Sequence, residues 1–257
     1  MHAYKNKKVL VTGNSGFKGS WLTLYLNKLE SKTYGFSNLI PWEKPILDKI
    51  WFENNIEQYW GNIKNYSEIL KVVSNIKPDL IFHLAAQSSV IESFRNSRNT
   101  VMTNTIGTAN ILEVIKYNKD VKCLIIITTD KVYQNYETKK YFDENSKLGG
   151  DDIYSGSKAC CEILVNSYRK SFFQNSKCRI VTVRAGNCFG GGDWTKERIM
   201  KDALESFYNN KTLVIRMPEA TRPWQHVLEP LFGYILLVQK LCSQKGKKYV
   251  GAWNFGP

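Results

Sequence analysis

The sequence has 257 residues, of which 43% are hydrophobic and 23% charged, a composition typical of a globular protein with a sizeable core. It excludes collagen-like, disordered and disulfide-scaffold chains. The 36 lysines and arginines exceed the 23 acidic residues and give a net charge of +13. This excess favours an anionic partner, such as a nucleotide, a nucleic acid or a phosphorylated metabolite.

No stretch approaches the roughly 20 apolar residues that a membrane span needs, and the lysine-rich start of the chain lacks the apolar core of a signal peptide. We therefore expect a cytoplasmic protein without a membrane partner. The six cysteines form no Cys-x-x-Cys pair and have no histidine cluster nearby. This arrangement predicts reduced thiols and no structural metal.

The first part of the chain alternates short β-branched runs with amphipathic stretches. A strand over residues 8–12 leads through a glycine loop into an amphipathic helix. The same alternation predicts further strands over 33–36, 57–60, 80–84, 122–128 and 179–184, and helices over 66–75, 103–117 and 154–173. Strands that alternate with helices favour an α/β fold, a doubly wound parallel sheet of the Rossmann type.

From residue 190 onwards the alternation loosens. The pattern predicts a helix through residue 209, a strand over 212–216, an apolar helix and a final strand over 252–255. We interpret residues 1–188 as a dinucleotide-binding Rossmann domain that includes the catalytic residues. Residues 189–257 are then the start of a substrate-binding lobe.

Three glycines lie where the first predicted strand turns into the first helix. Gly13 permits the tight turn, Gly16 lets a pyrophosphate approach the backbone, and Gly19 lets the helix pack on the strand. In this position the G-x-x-G-x-x-G spacing favours dinucleotide binding over a structural turn. The second strand ends in YGFS, with neither the acidic residue of a NAD site nor the arginine of an NADP site, so these residues leave the cofactor preference open.

Two groups of polar residues are candidates for catalysis. Tyr154 and Lys158 are four residues apart and share one helix face, so the ammonium can lower the phenol pKa from about 10 towards neutrality. The fifth predicted strand ends in Thr129, Asp130 and Lys131, which should point into the same cleft. The alternative for these three residues is a loop cap without catalytic role.

Several segments between Lys8 and Pro257 carry a resemblance to a known family; they read VTGNSGFKGSWL, PDLIFHLAAQSSV, TTDKVYQN, YSGSKACCEILV, VRAGNCFGGGDW and IRMPEATRPWQHVLEP. Together they resemble the extended short-chain dehydrogenase/reductases that act on nucleotide sugars. Three features resemble the CDP-glucose branch of the 4,6-dehydratases: the Lys of T-D-K, the GGGDW segment and the RPWQHVLEP segment. The dTDP-glucose dehydratases differ in carrying Glu at the Lys131 position.

The resemblance implies a NAD-dependent lyase that converts CDP-glucose to its 4-keto-6-deoxy form for deoxysugar and O-antigen synthesis. Tyr154 would remove the proton of the sugar 4-hydroxyl, while Lys158 and Thr129 polarise the same oxygens. Lys131 would then take the C5 proton, and Asp130 would protonate the departing C6 hydroxyl.

The resemblance also assigns binding residues. The cofactor NAD would lie against Gly13, Asn14, Gly16, Phe17, Gly19, Asn62, Ile63, Leu84, Ala85, Ala86, Gln87, Asn104, Thr128, Tyr154 and Lys158. The nucleotide sugar would lie against Ser88, Asn187, Arg198, Arg222, Gln225 and His226. A homodimer would pair residues 103–117 and 154–173 with their symmetry mates as a four-helix bundle.

The chain departs from the family pattern in three places. Asn62 stands where the family usually has Asp, Asn14 stands where close relatives often have His, and the chain ends at Pro257 before the family's substrate lobe is complete. Two alternatives stay open: an epimerase or reductase on the same scaffold, or an inactive dinucleotide-binding protein. A nucleic-acid partner is not expected, because the basic residues form no contiguous stripe interleaved with aromatics.

Overall fold

The computed structural model describes residues 3–41, 43–136 and 141–257. Within them, the strands are Lys8–Thr12 (β1), Lys32–Ser37 (β2), Glu57–Trp60 (β3), Leu80–His83 (β4), Cys123–Ile127 (β5), Arg179–Ala185 (β6), Asn187–Phe189 (β7), Trp224–His226 (β8) and Ala252–Phe255 (β9). The α-helices are Phe17–Lys28 (α1), Lys49–Asn55 (α2), Tyr66–Ile76 (α3), Val90–Arg95 (α4), Ser97–Val101 (α5), Gly107–Lys116 (α6), Ile153–Tyr168 (α7), Ile199–Tyr208 (α8) and Leu228–Leu241 (α9). Single π-helical turns over Met102–Ile106 and Arg169–Phe173 precede α6 and follow α7, and 3₁₀ turns lie at Asp130–Val132 and Gly246–Tyr249.

Seven strands form one parallel sheet in the order β3-β2-β1-β4-β5-β6-β9. Alternate residues face opposite layers of helices: Val9 and Val11 belong to one apolar core and Leu10 to the other. The doubly wound Rossmann-type fold predicted from the sequence is therefore confirmed. The strand order reverses between β1 and β4, and such a reversal opens a cleft at the carboxyl ends of these strands.

The chain beyond residue 188 returns to the same sheet. β9 pairs with β6, and Leu231 and Val238 of α9 are buried in the core that contains Val9. β7 and β8 lie apart from the seven-stranded sheet and form a parallel pair of their own. The lobe predicted from residue 189 therefore shares its hydrophobic core with the nucleotide-binding part.

The strand expected over residues 212–216 is wrong. This segment is irregular in the structure, and its apolar side chains Val214 and Ile215 are 78% and 49% exposed. A strand needs a neighbour that accepts and donates its backbone hydrogen bonds, and β-branched composition alone does not provide one.

The structure also bears on membrane spans and on the cysteines. Among the described residues, no helix combines the length and the apolar character needed to cross a bilayer. All six cysteines are free thiols, four of them buried.

Candidate active site

The glycine loop between β1 and α1 shows which glycines the protein itself requires. Gly13 has φ of +72°, and a Cβ there would lie 2.6 Å from the Ala85 nitrogen. A Cβ at Gly19 would overlap the Gly13 carbonyl. A Cβ at Gly16 would meet only the Gly13 oxygen, at 3.4 Å, so the space in front of Gly16 is free of protein atoms. An open backbone at the uncapped start of α1 fits a pyrophosphate group.

Asn14 lies behind this loop rather than on the cleft. Its side chain is fully buried, its Nδ2 donates to Gln58 Oε1 at 2.7 Å, and its Oδ1 accepts from Ser37 Oγ at 2.8 Å. These two bonds join the glycine loop to the last residue of β2, Ser37, and to the second residue of β3, Gln58. Asn14 therefore supports the loop through its neighbours.

The five predicted catalytic residues come together in one cleft of about 850 Å³ at the carboxyl edge of the sheet. Thr129, Asp130 and Lys131 follow β5, where the Thr129 hydroxyl donates to Asp130 Oδ1 at 3.0 Å. Tyr154 and Lys158 face them from the first two turns of α7, which begins where Asp152 caps it.

The lowering of the Tyr154 pKa that the Tyr-Lys spacing predicted is wrong for this structure. Burial of the phenol raises the pKa of Tyr154 to about 12, although hydrogen bonding with Thr129 and the charge of Arg198 oppose the shift. Burial also lowers the pKa of Lys158, whose Nζ donates to the Ile127 carbonyl at 2.9 Å. Desolvation is thus the largest cause of both shifts.

Asp130 shifts in the direction that the elimination chemistry needs. Burial raises the pKa of Asp130, while the Thr129 hydrogen bond and the charges of Lys131, Lys18 and Arg222 oppose the rise. A carboxyl group that retains its proton can donate it to a leaving oxygen. Burial thus shifts Asp130, the neighbour of Lys131, towards the form that can donate a proton.

Asn104 links the cofactor side of the cleft to the catalytic helix. Its Oδ1 accepts from the Gln87 nitrogen at 2.8 Å, and its Nδ2 donates to the Gln87 carbonyl and to Ser157 Oγ. Asn104 is buried within the π-helical turn that precedes α6. It orders both α7 and the loop after β4, and does not line the cleft itself.

A buried ion pair lies beneath the catalytic residues. Glu162 of α7 pairs with Arg184 of β6 at 2.8 Å, and their side chains are 2% and 4% exposed. The hydroxyl of Thr128, just before the catalytic Thr129, donates to Glu162 Oε1 at 2.5 Å. Arg184 Nη1 also donates to the hydroxyl of Tyr133 at 2.9 Å. The pair therefore holds the end of β5, α7 and β6 together under the site.

The remaining predicted residues divide into two groups. Those that line the cleft are Phe17, Asn62, Ile63, Leu84, Ala85, Ala86, Gln87, Thr128, Ser88, Asn187, Arg198 and Arg222. Gln225 and His226 do not line it: Gln225 Nε2 donates to the Phe255 carbonyl at 2.8 Å, and the His226 ring packs edge-on against Trp21 and Phe189. Both residues belong to β8 and pack beside the site.

Sequence reasoning missed two charged residues at the cleft. Lys18, in the first turn of α1, lies close enough to Asp130 and Lys158 to affect both pKa values. Asp193 holds Arg198 Nη1 at 2.6 Å and so orients a guanidinium that faces the cleft. Lys18 could have been found from its place between Gly16 and Gly19, whereas Asp193 needed the fold of the loop after β7.

The sequence matches a family of known proteins. A family model described as GDP-mannose 4,6 dehydratase matches residues 10–253, almost the whole chain. The chain belongs to this family. A member from Salmonella typhimurium, CDP-glucose 4,6-dehydratase, is 39% identical over 99% of this chain and 72% of its own length. The dTDP-D-glucose 4,6-dehydratase of Dictyostelium discoideum is 30% identical over 91% of this chain and 56% of its own length.

Solved structures related to the GDP-mannose 4,6 dehydratase family share the fold. An epimerase from Methanothermobacter thermautotrophicus superposes with a TM-score of 0.84 at 26% identity, and covers 99% of this chain and 73% of its own. The dTDP-glucose 4,6-dehydratase from Bacillus anthracis, solved in complex with NAD, gives a TM-score of 0.79 at 23% identity, over 97% of this chain and 75% of its own. The fold of this chain is therefore shared with an epimerase and with a dTDP-glucose 4,6-dehydratase.

Proposed function

We propose that this chain is a NAD-dependent CDP-glucose 4,6-dehydratase, a lyase that yields the 4-keto-6-deoxy sugar nucleotide. The observation that carries the proposal is one cleft that contains Tyr154 and Lys158 on α7 opposite Thr129, Asp130 and Lys131 after β5. An epimerase or reductase on this scaffold needs the first pair but not an adjacent carboxyl and amine. The 39% identity to CDP-glucose 4,6-dehydratase supports the choice of CDP-glucose as substrate.

The residues of the cleft fit a dinucleotide. Gly13 and Gly16 would bring their backbone to the pyrophosphate at the start of α1, and Asn62 and Ile63 would flank the adenine. Lys158 would contact the nicotinamide ribose. Bound NAD would supply the group that takes up a hydride from C4 of the sugar and returns it at C6.

The chain's own side chains would handle the protons. Tyr154 would accept the proton of the 4-hydroxyl in its phenolate form, which requires bound cofactor and substrate to lower the pKa that burial raises. The Thr129 hydroxyl would be a hydrogen-bond donor to the sugar 4-oxygen. The resulting carbonyl acidifies the C5 proton, which Lys131 in its neutral form would accept. Asp130, whose pKa burial raises, would protonate the C6 hydroxyl as it leaves. Arg198 and Arg222 would hold the diphosphate of the substrate.

A panel of nucleotide sugars tests this proposal. The protein is incubated with NAD and with CDP-glucose, dTDP-glucose, UDP-glucose or GDP-mannose, and the 4-keto product is detected by its absorbance in alkali and by mass. We expect loss of one water from CDP-glucose in preference to the others. Conversion of a nucleotide sugar to an isomer of unchanged mass would instead assign epimerase activity.

We also propose a homodimer formed through α6, α7 and the π-helical turns that adjoin them. Four large apolar side chains are exposed along this surface: Val101, Ile106, Ile163 and Phe172 are between 38% and 56% exposed. Exposed apolar side chains grouped on neighbouring helices favour an interface. Light scattering at micromolar concentration should give twice the chain mass, and Ile163→Lys should give the monomer. A monomeric mass for the unmodified chain would contradict the dimer.

In this proposal the enzyme works in the cytoplasm and provides a 4-keto-6-deoxy sugar nucleotide for deoxysugar and O-antigen synthesis. The ketone at C4 suits reductases, epimerases or aminotransferases that act on the next step. Cell fractionation of a tagged chain tests the location, and recovery in the membrane fraction would contradict it.

A further inference from the structure

Two cysteines far apart in sequence meet at the edge of the sheet opposite the cleft. Cys123 is the first residue of β5 and Cys242 directly follows α9, yet their Sγ atoms are 3.7 Å apart. Cys123 is buried, whereas Cys242 is exposed. A strand rises about 3.3 Å per residue, so the five residues of β5 separate this pair from the catalytic end by about 16 Å.

The surroundings give the two thiols different chemistry. A hydrogen bond from Cys123 and the positive charges of Arg179, Lys122 and Lys7 lower the pKa of Cys242 to about 7, against the opposing effect of burial. The hydrogen bond to Cys242 and burial raise the pKa of Cys123 well above its ordinary value. Cys242 is therefore the exposed thiol that ionises more readily, and Cys123 is the buried thiol in contact with it.

We propose that Cys242 and Cys123 are an oxidisable dithiol, a modification site for peroxides that closes to an intramolecular disulfide. The Cys242 thiolate attacks one oxygen of the peroxide, the O–O bond breaks, and a sulfenic acid forms while hydroxide leaves and takes up a proton as water. The Cys123 thiol then gives up its proton and its sulfur attacks the Cys242 sulfur, so that an S–S bond forms and the S–O bond breaks. The departing hydroxide leaves with that proton as a second water. The two sulfurs lose two electrons in total, which the peroxide gains.

The contact needs little rearrangement to become a bond. The Sγ atoms must approach by about 1.7 Å to reach a disulfide length of about 2.05 Å. Cys242 lies where α9 ends, and its backbone nitrogen still bonds to the Val238 carbonyl at 2.8 Å. The bond would join the end of α9 to the start of β5 and leave the residues of the cleft free.

Peroxide titration of the full chain tests the proposal. The reduced protein is treated with one equivalent of hydrogen peroxide, alkylated without reductant, and examined by intact mass and peptide mapping. We expect the mass of two hydrogens to be lost before alkylation, two fewer alkyl groups, and a linked peptide pair that contains Cys123 and Cys242. Dithiothreitol should restore the reduced mass.

Three variants separate this pair from general thiol oxidation. Cys242→Ser should not form the disulfide, and Cys160→Ser, which removes the other exposed thiol, should form it as the unmodified chain does. Cys123→Ser should leave a sulfenic acid on Cys242 that dimedone traps. The proposal is overturned if Cys242→Ser still loses two hydrogens, if the linked peptides join other cysteines, or if the unmodified chain yields no linked peptide.

Discussion

Replacing Glu162 by Gln tests the role of the buried ion pair beneath the site. Gln keeps the shape of the side chain but removes its charge, so the guanidinium of Arg184 remains buried without its carboxylate partner. Arg184 Nη1 keeps its bonds to the Tyr133 hydroxyl at 2.9 Å and to the Glu144 carbonyl at 3.2 Å. These neutral acceptors satisfy the hydrogens of Nη1 but do not neutralise the charge.

The expected loss follows from the burial of both partners. Removal of one partner from a buried pair costs about 3–5 kcal/mol, because an uncompensated charge stays in the interior. Since Gln can still accept one hydrogen bond from Thr128 or Thr182, we expect Glu162→Gln to lower the free energy of unfolding by about 3 kcal/mol. For a chain of this size that corresponds to a melting temperature lower by about 6–12 °C.

Urea denaturation followed by tryptophan fluorescence measures this loss. The control is Glu53→Gln, because the Lys49–Glu53 pair is exposed on α2 with an N–O distance of 3.7 Å. Exposed helix pairs contribute about 0.3–0.5 kcal/mol, so the control should shift the midpoint only slightly. If Glu162→Gln is no more destabilising than Glu53→Gln, the buried pair does not hold β5, α7 and β6 together.

Four further substitutions test the site. Tyr154→Phe should lower turnover by about 10²–10⁴-fold and leave NAD affinity by calorimetry nearly unchanged, because only the hydroxyl is lost; turnover at the unmodified rate would show that Tyr154 is not the base. Asp130→Asn should raise the free energy of unfolding at pH 7. Burial raises the folded-state pKa of Asp130, so keeping this carboxylate ionised at pH 7 lowers the free energy of unfolding, and Asn removes that cost. Towards pH 4 the carboxyl is protonated, so the stability gained from Asn should shrink. A gain in stability that does not change with pH would contradict this. Gly16→Ala should weaken NAD binding more than tenfold and change the free energy of unfolding by no more than about 1 kcal/mol. Gly13→Ala should lower the free energy of unfolding by more, since its Cβ would meet Ala85. Equal losses of stability in the two variants would refute this distinction.

The parallel sheet was predictable because its strands are buried on both faces. The run CLIII of β5 and the run LIFH of β4 are fully buried, so each reads as a continuous apolar segment bounded by polar residues. Residues 212–216 have similar composition but remain exposed, and composition does not tell the two cases apart. Asn104, in a π-helical turn, bonds to Gln87 and Ser157, which are distant in sequence, so local patterning does not reveal these contacts.

The site was predictable where chemistry depends on local spacing. Tyr154 and Lys158 lie on one helix face, and Thr129 to Lys131 follow a strand end, so sequence alone brought these residues to one edge of the sheet. The pKa of Tyr154 was not predictable in the same way, because it depends on burial by the surrounding fold. The contact between Cys123 and Cys242 spans 119 positions and needs the packing of α9 on β5.

Solvent isotope incorporation tests the dehydratase assignment most directly. The chain is incubated with NAD and CDP-glucose in D₂O, and the product is examined by NMR and mass spectrometry. We predict one solvent deuterium at C5 of a 4-keto-6-deoxy sugar, and we predict that Lys131→Ala consumes little substrate while NADH absorbance accumulates. Consumption of CDP-glucose by the unmodified chain without deuterium at C5 would contradict the assignment of Asp130 and Lys131 to water elimination.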